Sequence, residues 1–419
     1  MKRFCIVTVV AGILASPAFA DTTVKVVEVI TSPPRTELLK KQFIAFEQAN
    51  PGVHVDLVSL PWGEAFEKFL NMVQAGDTPD VVEMPERWLG LYGANDQLED
   101  LGPYMAKWPE SSRLGERARE LGSVVHGTQY EIPYGYYVRA LFWNTKLFRQ
   151  AGLPSPPATF DEFVADAQKI SAMPGKYGYC LRGGAGAFGG VQMFMNTMDG
   201  KGYFNPDGSS TFSDPGSVKG LQMLIDIYQK GYAPKDAVNW AFNEIVAGFY
   251  SGTCAMLDQD PDALIAVQER MKPEDYDVVP FPKGPAGKAF PTIGYGSWAM
   301  FSNSKNKDLS WKLIATLDGP EGNVIWNKRI GALPIYKSAE KDPFYANPKF
   351  KGWFEELGDK DVTPTVMPTY LPEFAYFADS IVVKTGQQAL LGQLSPQDLA
   401  KQWADYLTPA QKKYLAAKK

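Results

Sequence analysis

Three consecutive residues, Glu86-Arg87-Trp88, hold a carboxylate, a guanidinium and an indole. The carboxylate accepts from a hydroxyl, the guanidinium donates through a rigid planar fork, and the ring covers an apolar face. That set suits the binding of a polyhydroxylated solute. Similar juxtapositions recur along the chain. Trp62 opens the run WGEAF, and Asp258-Gln259-Asp260 follows the apolar CAML. In Gly294-Tyr295-Gly296-Ser297-Trp298, glycine lets a ligand approach the backbone at Gly296 and Ser297 beside the Trp298 ring. Arg35, Arg182 (ahead of Gly183-Gly184) and Arg329 are further candidates. Convergence of two or three arginines would point to an acidic sugar or a phosphorylated polyol. The stretch IPYGYYVRALFWNTKLF, from Ile132 to Phe148, poses its own question. It is too aromatic for an ordinary loop and too punctuated for an ordinary helix.

Other chemistries find less support. The histidines, His54 and His126, have no cysteine or carboxylate at metal-ligand spacing, so neither a histidine metal centre nor a Ser-His triad is expected. No cofactor is expected. Glu86, Asp258 and Asp260 leave a hydrolase open, since a glycosidase needs two carboxyl groups about 5–10 Å apart. Cys180 and Cys254 are a candidate disulfide in an oxidising compartment, a pairing that spacing alone does not decide.

These residues need elements to hold them. Lys2 and Arg3 precede the apolar FCIVTVVAGILA, and Ala18-Phe19-Ala20 is a small-x-small site. Residues 1–20 are therefore expected to be a secretory leader cleaved after Ala20, too short to span a membrane. The roughly 400 residues that follow exceed one hydrophobic core, so two lobes are expected. With 42 basic and 47 acidic residues interspersed, nucleic acid and anionic membrane surfaces are not expected partners. Beyond the leader, TTVKVVEVI predicts a strand, Leu39, Phe43 and Phe46 a helix stopped by NPG, and VHVDLVSL a second strand. Phe66, Phe69, Leu70 and Val73 predict a helix ending at Gly76, before the short strand of DTPDVVEM. Thr159-Phe160-Asp161-Glu162 is a capping box, and Asp214-Pro215 and Ser395-Pro396 open later helices. Strand and helix alternate, as in α/β sheets covered on both faces. Such sheets bind ligands beyond the carboxyl ends of their strands, where the candidate loops fall.

Longer motifs carry a resemblance. GDTPDVVEM, NTKLFRQAGLPSPPATFDEF, FYSGTCAMLDQDPDALIAV and VVPFPKGPAG, in that order and spacing, are similar to the extracellular solute-binding proteins, family 1, of ABC importers. These are maltose-binding-like carbohydrate receptors. The resemblance implies a periplasmic-binding-protein-like II fold: two α/β lobes, three crossings, and a ligand cleft between the lobes. The crossings would fall at Tyr136 to Arg139, near Pro291 and around residue 342. The first lobe would then comprise 21–136 and 291–342, the second 137–290 and 343–419. Tyr134 and Tyr136 would stand at the hinge mouth facing the cleft, with Val138, Ala140 and Phe142 as buried strand. Glu86 and Arg87 resemble the family's sugar-hydroxyl clamp. Asp258 and Asp260 depart from it, standing where the family usually shows a glycine and a tryptophan. The implied protein is a monomeric, non-enzymatic periplasmic receptor handing a sugar, oligosaccharide or polyol to ABC permease subunits. The alternatives are a receptor for a phosphorylated polyol, opine or amino-acid-like solute, and an exported carbohydrate-active hydrolase.

Overall fold

The computed structural model describes residues 22–418; the expected leader lies outside them. The chain opens with β1 (Thr22–Glu28), helix α1 (Pro33–Ala49), β2 (Val53–Ser59), helix α2 (Trp62–Gln74) and β3 (Val81–Pro85). β4 (Glu131–Val138) leads through the single residue Arg139 into β5 (Ala140–Trp143). β6 (Tyr177–Tyr179), β7 (Cys254–Gln259) and β8 (Asp277–Val279) follow, then β9 (Thr292–Met300) and the two-residue β10 (Thr365–Val366).

Two sheets result. The first runs β10-β9-β3-β1-β2, with β4 on the other edge of β9. Here β1 is parallel to β2 and β3, while β9 is antiparallel to β3 and β4. The second runs β6-β7-β5-β8. Val24 and Val26 of β1 pack into one core, with Phe43 and Phe46 of α1, while Val27 joins Phe66 and Phe69 of α2 in another. Both faces of β1 are thus covered, which explains its nearly continuous β-branched sequence. The second sheet is covered in the same way, Leu141 packing in one core and Ala140 and Phe142 in another.

The chain passes between sheets at Arg139 and again between Val279 and Thr292. Val138, expected in the second lobe, is the last residue of β4 and pairs with Ile293 in the first sheet. One element departs further from the expected division. Thr365 and Val366 pair with Thr292 and Ile293, so part of the segment assigned to the second lobe joins the first sheet. Two residues are too few to show a strand period, which is why the sequence did not mark them. Cys180 and Cys254 are joined by a disulfide, with Cα atoms 5.4 Å apart. Cys254 opens β7, and Cys180 directly follows the parallel β6 and donates its N–H to the Met256 carbonyl of β7, so the two cysteines lie on adjacent strands.

Candidate functional site

A cavity of about 580 Å³ lies between the two sheets, at the ends of β1, β2, β3 and β7 and beside the first crossing. Its size is that of a small-ligand site. On the first-sheet side, α1 begins with Pro33-Pro34, so the chain leaving β1 turns directly into the helix and delivers Arg35 to the cavity. The Arg35 Nη2 donates to Glu83 at 2.8 Å and to the Tyr134 hydroxyl at 3.3 Å, and its guanidinium lies 5.0 Å over the Trp326 ring. Trp62, the first residue of α2, presents a partly exposed indole. The Arg87 guanidinium stands 5.3 Å over that ring. Arg87 donates to Asp379 at 3.1 Å and to Glu86 at 3.4 Å, which holds its fork in place. Burial pushes the Glu86 carboxyl above its ordinary value, against the opposing pull of Arg87. Gly294 leaves it room, since a Cβ there would sit 3.3 Å from Oε1.

The opposite wall is built around a second group of charges. Arg139, at the crossing, donates to Asp258 at 2.6 Å and lies 3.9 Å from Asp260. Tyr179 donates to the other Asp258 oxygen. The glycines of RGGAGAFGG make space for guanidinium groups. A Cβ on Gly186, where φ is +81°, would come 2.3 Å from Arg182 Nη2, and one on Gly189 would come 3.1 Å from Arg139 Nη2. Arg182 donates its Nε to the Ala185 carbonyl at 2.7 Å. Burial first, then the neighbouring Arg139 and Arg87, push Arg182 down to about 9, which still leaves it charged at neutral pH. Asp262 is pushed up to about 7 by burial and by Asp260. Its Oδ1 and the Oε1 of Gln259 are buried without hydrogen-bond partners. Phe242 and Tyr250 add rings to this wall.

Of the sequence-derived candidates, the cavity gathers Arg35, Trp62, Glu86, Arg87, Arg182, Asp260 and Arg329. The arginines do converge, yet they arrive with almost as many carboxylates. Trp88 is a correction: it is 1% exposed and packs among Trp62, Phe66 and Phe69 beneath the cavity wall. Tyr134 is fully buried in the first-sheet core, donating to Glu83 at 2.8 Å. It sits at a register shift between Pro133 and Gly135, so simple alternation misplaces it. Tyr136 turns toward core residues, and Tyr137 lines the cavity in its place. Asp258 lies beneath the wall as the partner of Arg139. Gly296, Ser297 and Trp298 are strand residues of β9 facing protein. The Tyr134 hydroxyl occupies the space a Cβ on Gly296 would need, and the Ser297 hydroxyl bonds the Met84 carbonyl and Glu131. The sequence reading missed Tyr137, Arg139 and Asp262. Arg139 had a signal, being the one charge within the apolar strand run YYVRALFW.

Comparison with known proteins identifies the lineage. The model of the bacterial extracellular solute-binding protein family matches residues 32–324. The chain belongs to that family. A Brucella abortus (strain 2308) protein named "Putative binding protein" is 30% identical over 75% of this chain and 75% of its own length. The sn-glycerol-3-phosphate-binding periplasmic protein of Yersinia enterocolitica is 27% identical over 67% of this chain and 63% of its own. An ABC transporter solute-binding protein from Thermotoga lettingae, solved with α-D-tagatose, superposes with a TM-score of 0.81. It is 21% identical, and the match covers 94% of this solute-binding protein and 100% of that one.

Proposed function

We propose that this solute-binding protein captures a sugar, oligosaccharide or polyol in the cavity between its lobes and delivers it to the permease of an ABC transporter. The observation that carries the ligand class is the pairing of rings with fixed charges around one cavity. Trp62 carries the Arg87 guanidinium over its ring, Glu86 lies beside Arg87, and Asp260 and Arg139 stand on the opposite wall. A carboxylate next to a guanidinium accepts from one hydroxyl and donates to its neighbour, while the ring covers the C–H face. Arg35, Trp62, Glu86, Arg87, Arg182, Asp260 and Arg329 are the residues assigned to binding, joined by Tyr137, Arg139 and Asp262. The first lobe is taken as 21–136 with 291–342, extended by β10, and the second as 137–290 with the rest of 343–419. Such a receptor acts outside the cytoplasm, as a monomer released by cleavage after Ala20.

A ligand that touches both walls favours approach of the lobes about Arg139. The test is a thermal-shift screen of the full mature chain across sugars, polyols, phosphorylated polyols and amino acids. A ligand at 100 times its Kd stabilises by about 2.7 kcal/mol. The expected result is a shift from a sugar or polyol, with a smaller radius of gyration by solution scattering and no product on prolonged incubation. A shift confined to non-hydroxylated solutes would overturn the ligand class, and turnover of a glycan would overturn the receptor role.

A further inference from the structure

Four charges that line the cavity have no ion-pair partner within 4.0 Å among the described residues. Arg329 donates to the Pro34 carbonyl at 3.5 Å and Glu244 accepts the Ala241 N–H; the other two are Arg182 and Asp262. Arg35, Arg87 and Arg139 each have a carboxylate, in Glu83 at 2.8 Å, Asp379 at 3.1 Å and Asp258 at 2.6 Å. Arg182 has none within 4.0 Å among the described residues; its one hydrogen bond goes to the Ala185 carbonyl of its own loop. Asp262 likewise has no basic partner, and its Oδ1 is buried and unbonded. Both line the same cavity. Each lies within the other's field, yet the two do not meet. The displacement of Arg182 down to about 9 and of Asp262 up to about 7, both led by burial, shows the cost of leaving them so.

We propose that the cavity's ligand is a zwitterionic polyol, a hydroxylated chain or ring joined to an amino-acid-type group, with its carboxylate on Arg182 and its ammonium on Asp262. This rests on the sugar or polyol reading above and narrows it. The helix Phe188–Asp199 begins beside Arg182, carries no acid in its first turn, and adds its positive end to the carboxylate side. A doubly charged phosphate ester fits less well, because Asp260 and Asp262 share the cavity. Two of the other helix starts at the cavity offer a phosphate little. Pro33 and Pro34 have no N–H to donate at the start of α1, and Glu244 accepts the Ala241 N–H at the start of the helix Phe242–Tyr250.

The test is calorimetric titration of the full mature chain with N-fructosylglycine, fructose, glucosamine, gluconate, glycine and glycerol 3-phosphate. N-fructosylglycine is expected to bind at least about tenfold more tightly than each of the others: fructose, glucosamine, gluconate and glycerol 3-phosphate each lack one or both charged groups and so lose a charge-assisted bond, while glycine keeps both charges and loses the hydroxyl contacts. Arg182→Gln and Asp262→Asn, each checked for an unchanged fold by circular dichroism, should each cut that preference about tenfold. If fructose, glucosamine, gluconate or the phosphate ester binds as tightly as the conjugate, the zwitterion assignment is wrong and the sugar or polyol reading stands. An unchanged preference in both variants overturns it equally. If no hydroxylated probe of any charge binds, here or in the wider screen, both readings fall.

Discussion

Trp62 and Trp88 lie nearly parallel, 6.4 Å apart with 5° between their planes, yet they should respond oppositely to truncation. Trp88 is 1% exposed and packs against Phe66 and Phe69 at centroid distances of 5.6 and 5.7 Å. Its Nε1 also donates to Asp379 at 2.8 Å, tying the short helical turn after β3 to a residue 291 positions later. Removing a buried indole costs about 3–5 kcal/mol in transfer and cavity terms. The lost hydrogen bond adds little to that, because Asp379 keeps its ion pair with Arg87. Trp88→Ala is therefore expected to destabilise by about 4 kcal/mol, and Trp88→Phe by clearly less. Trp62 is partly exposed at the cavity wall, and its removal forfeits chiefly a ring contact worth about 0.5–1.5 kcal/mol. Urea unfolding without ligand, followed by far-UV circular dichroism, measures both costs at constant slope. Titration with the solute found by the screen should show the larger affinity loss in Trp62→Ala. A Trp88→Ala protein that unfolds at the wild-type urea concentration would refute this placement of Trp88 in the scaffold.

Arg87→Ala should weaken ligand binding by about ten- to a hundredfold, the loss of one charge-assisted bond. It should also lower the melting temperature without ligand, because Asp379 and the buried Glu86 lose their cation; an unchanged affinity would remove Arg87 from the site. The carboxyl of Glu131, fully buried and bonded by the Ser297 hydroxyl at 2.5 Å, is pushed up to about 8 from an ordinary 4.5, chiefly by burial. The folded chain thus holds a proton that the unfolded chain releases, so stability falls as pH rises from about 4.5 to about 8 and the loss is complete above that. Glu131→Gln should match wild type in melting temperature near pH 4 and exceed it at pH 9, and equal melting at pH 9 would show that Glu131 ionises freely. The disulfide closes a loop of 74 residues, worth about 4 kcal/mol in the chain-entropy account. Reduction, or Cys180→Ser with Cys254→Ser, should lower the free energy of unfolding by about that amount, seen as a lower urea midpoint, and free thiols in the exported native protein would contradict the bridge.

What the sequence made legible was periodic or local. The valines of β1 and the apolar faces of α1 and α2 read directly, because burial on a sheet or one helical stripe repeats every two or three to four residues. The loops after β1, β2, β3 and β7 were legible as cavity loops from the geometry of α/β sheets alone. Partnerships across the chain were not. Arg35 meets Glu83 after 48 residues, Arg139 meets Asp258 after 119, and Arg87 meets Asp379 after 292. Nothing local distinguishes an arginine neutralised in this way from Arg182, which has no such partner. For that reason the convergence of arginines, which the sequence could raise as a question, did not by itself say what charge the cavity favours.

The tyrosines of β4 show a second kind of limit. In a strand covered on both faces, alternation separates one side from the other but does not say which side meets a ligand. What decides is a residue on the neighbouring strand. Gly296 of β9 pairs with Gly135, and a Cβ on Gly296 would stand 2.0 Å from the Tyr134 hydroxyl. Because no Cβ is there, the Tyr134 ring turns into the core, where its hydroxyl reaches Glu83 and the Arg35 guanidinium reaches it. The Tyr137 hydroxyl lies 3.4 Å from that of Tyr134, and Tyr137 closes the cavity wall above it. One glycine therefore converts a tyrosine that reads as a contact for ligand into the support of Glu83 and Arg35, and so acts on the cavity through the arginine it holds in place. In the glycine-rich sequence around Tyr295, Gly296 makes room for protein, while Gly294 stays on the cavity wall beside Glu86.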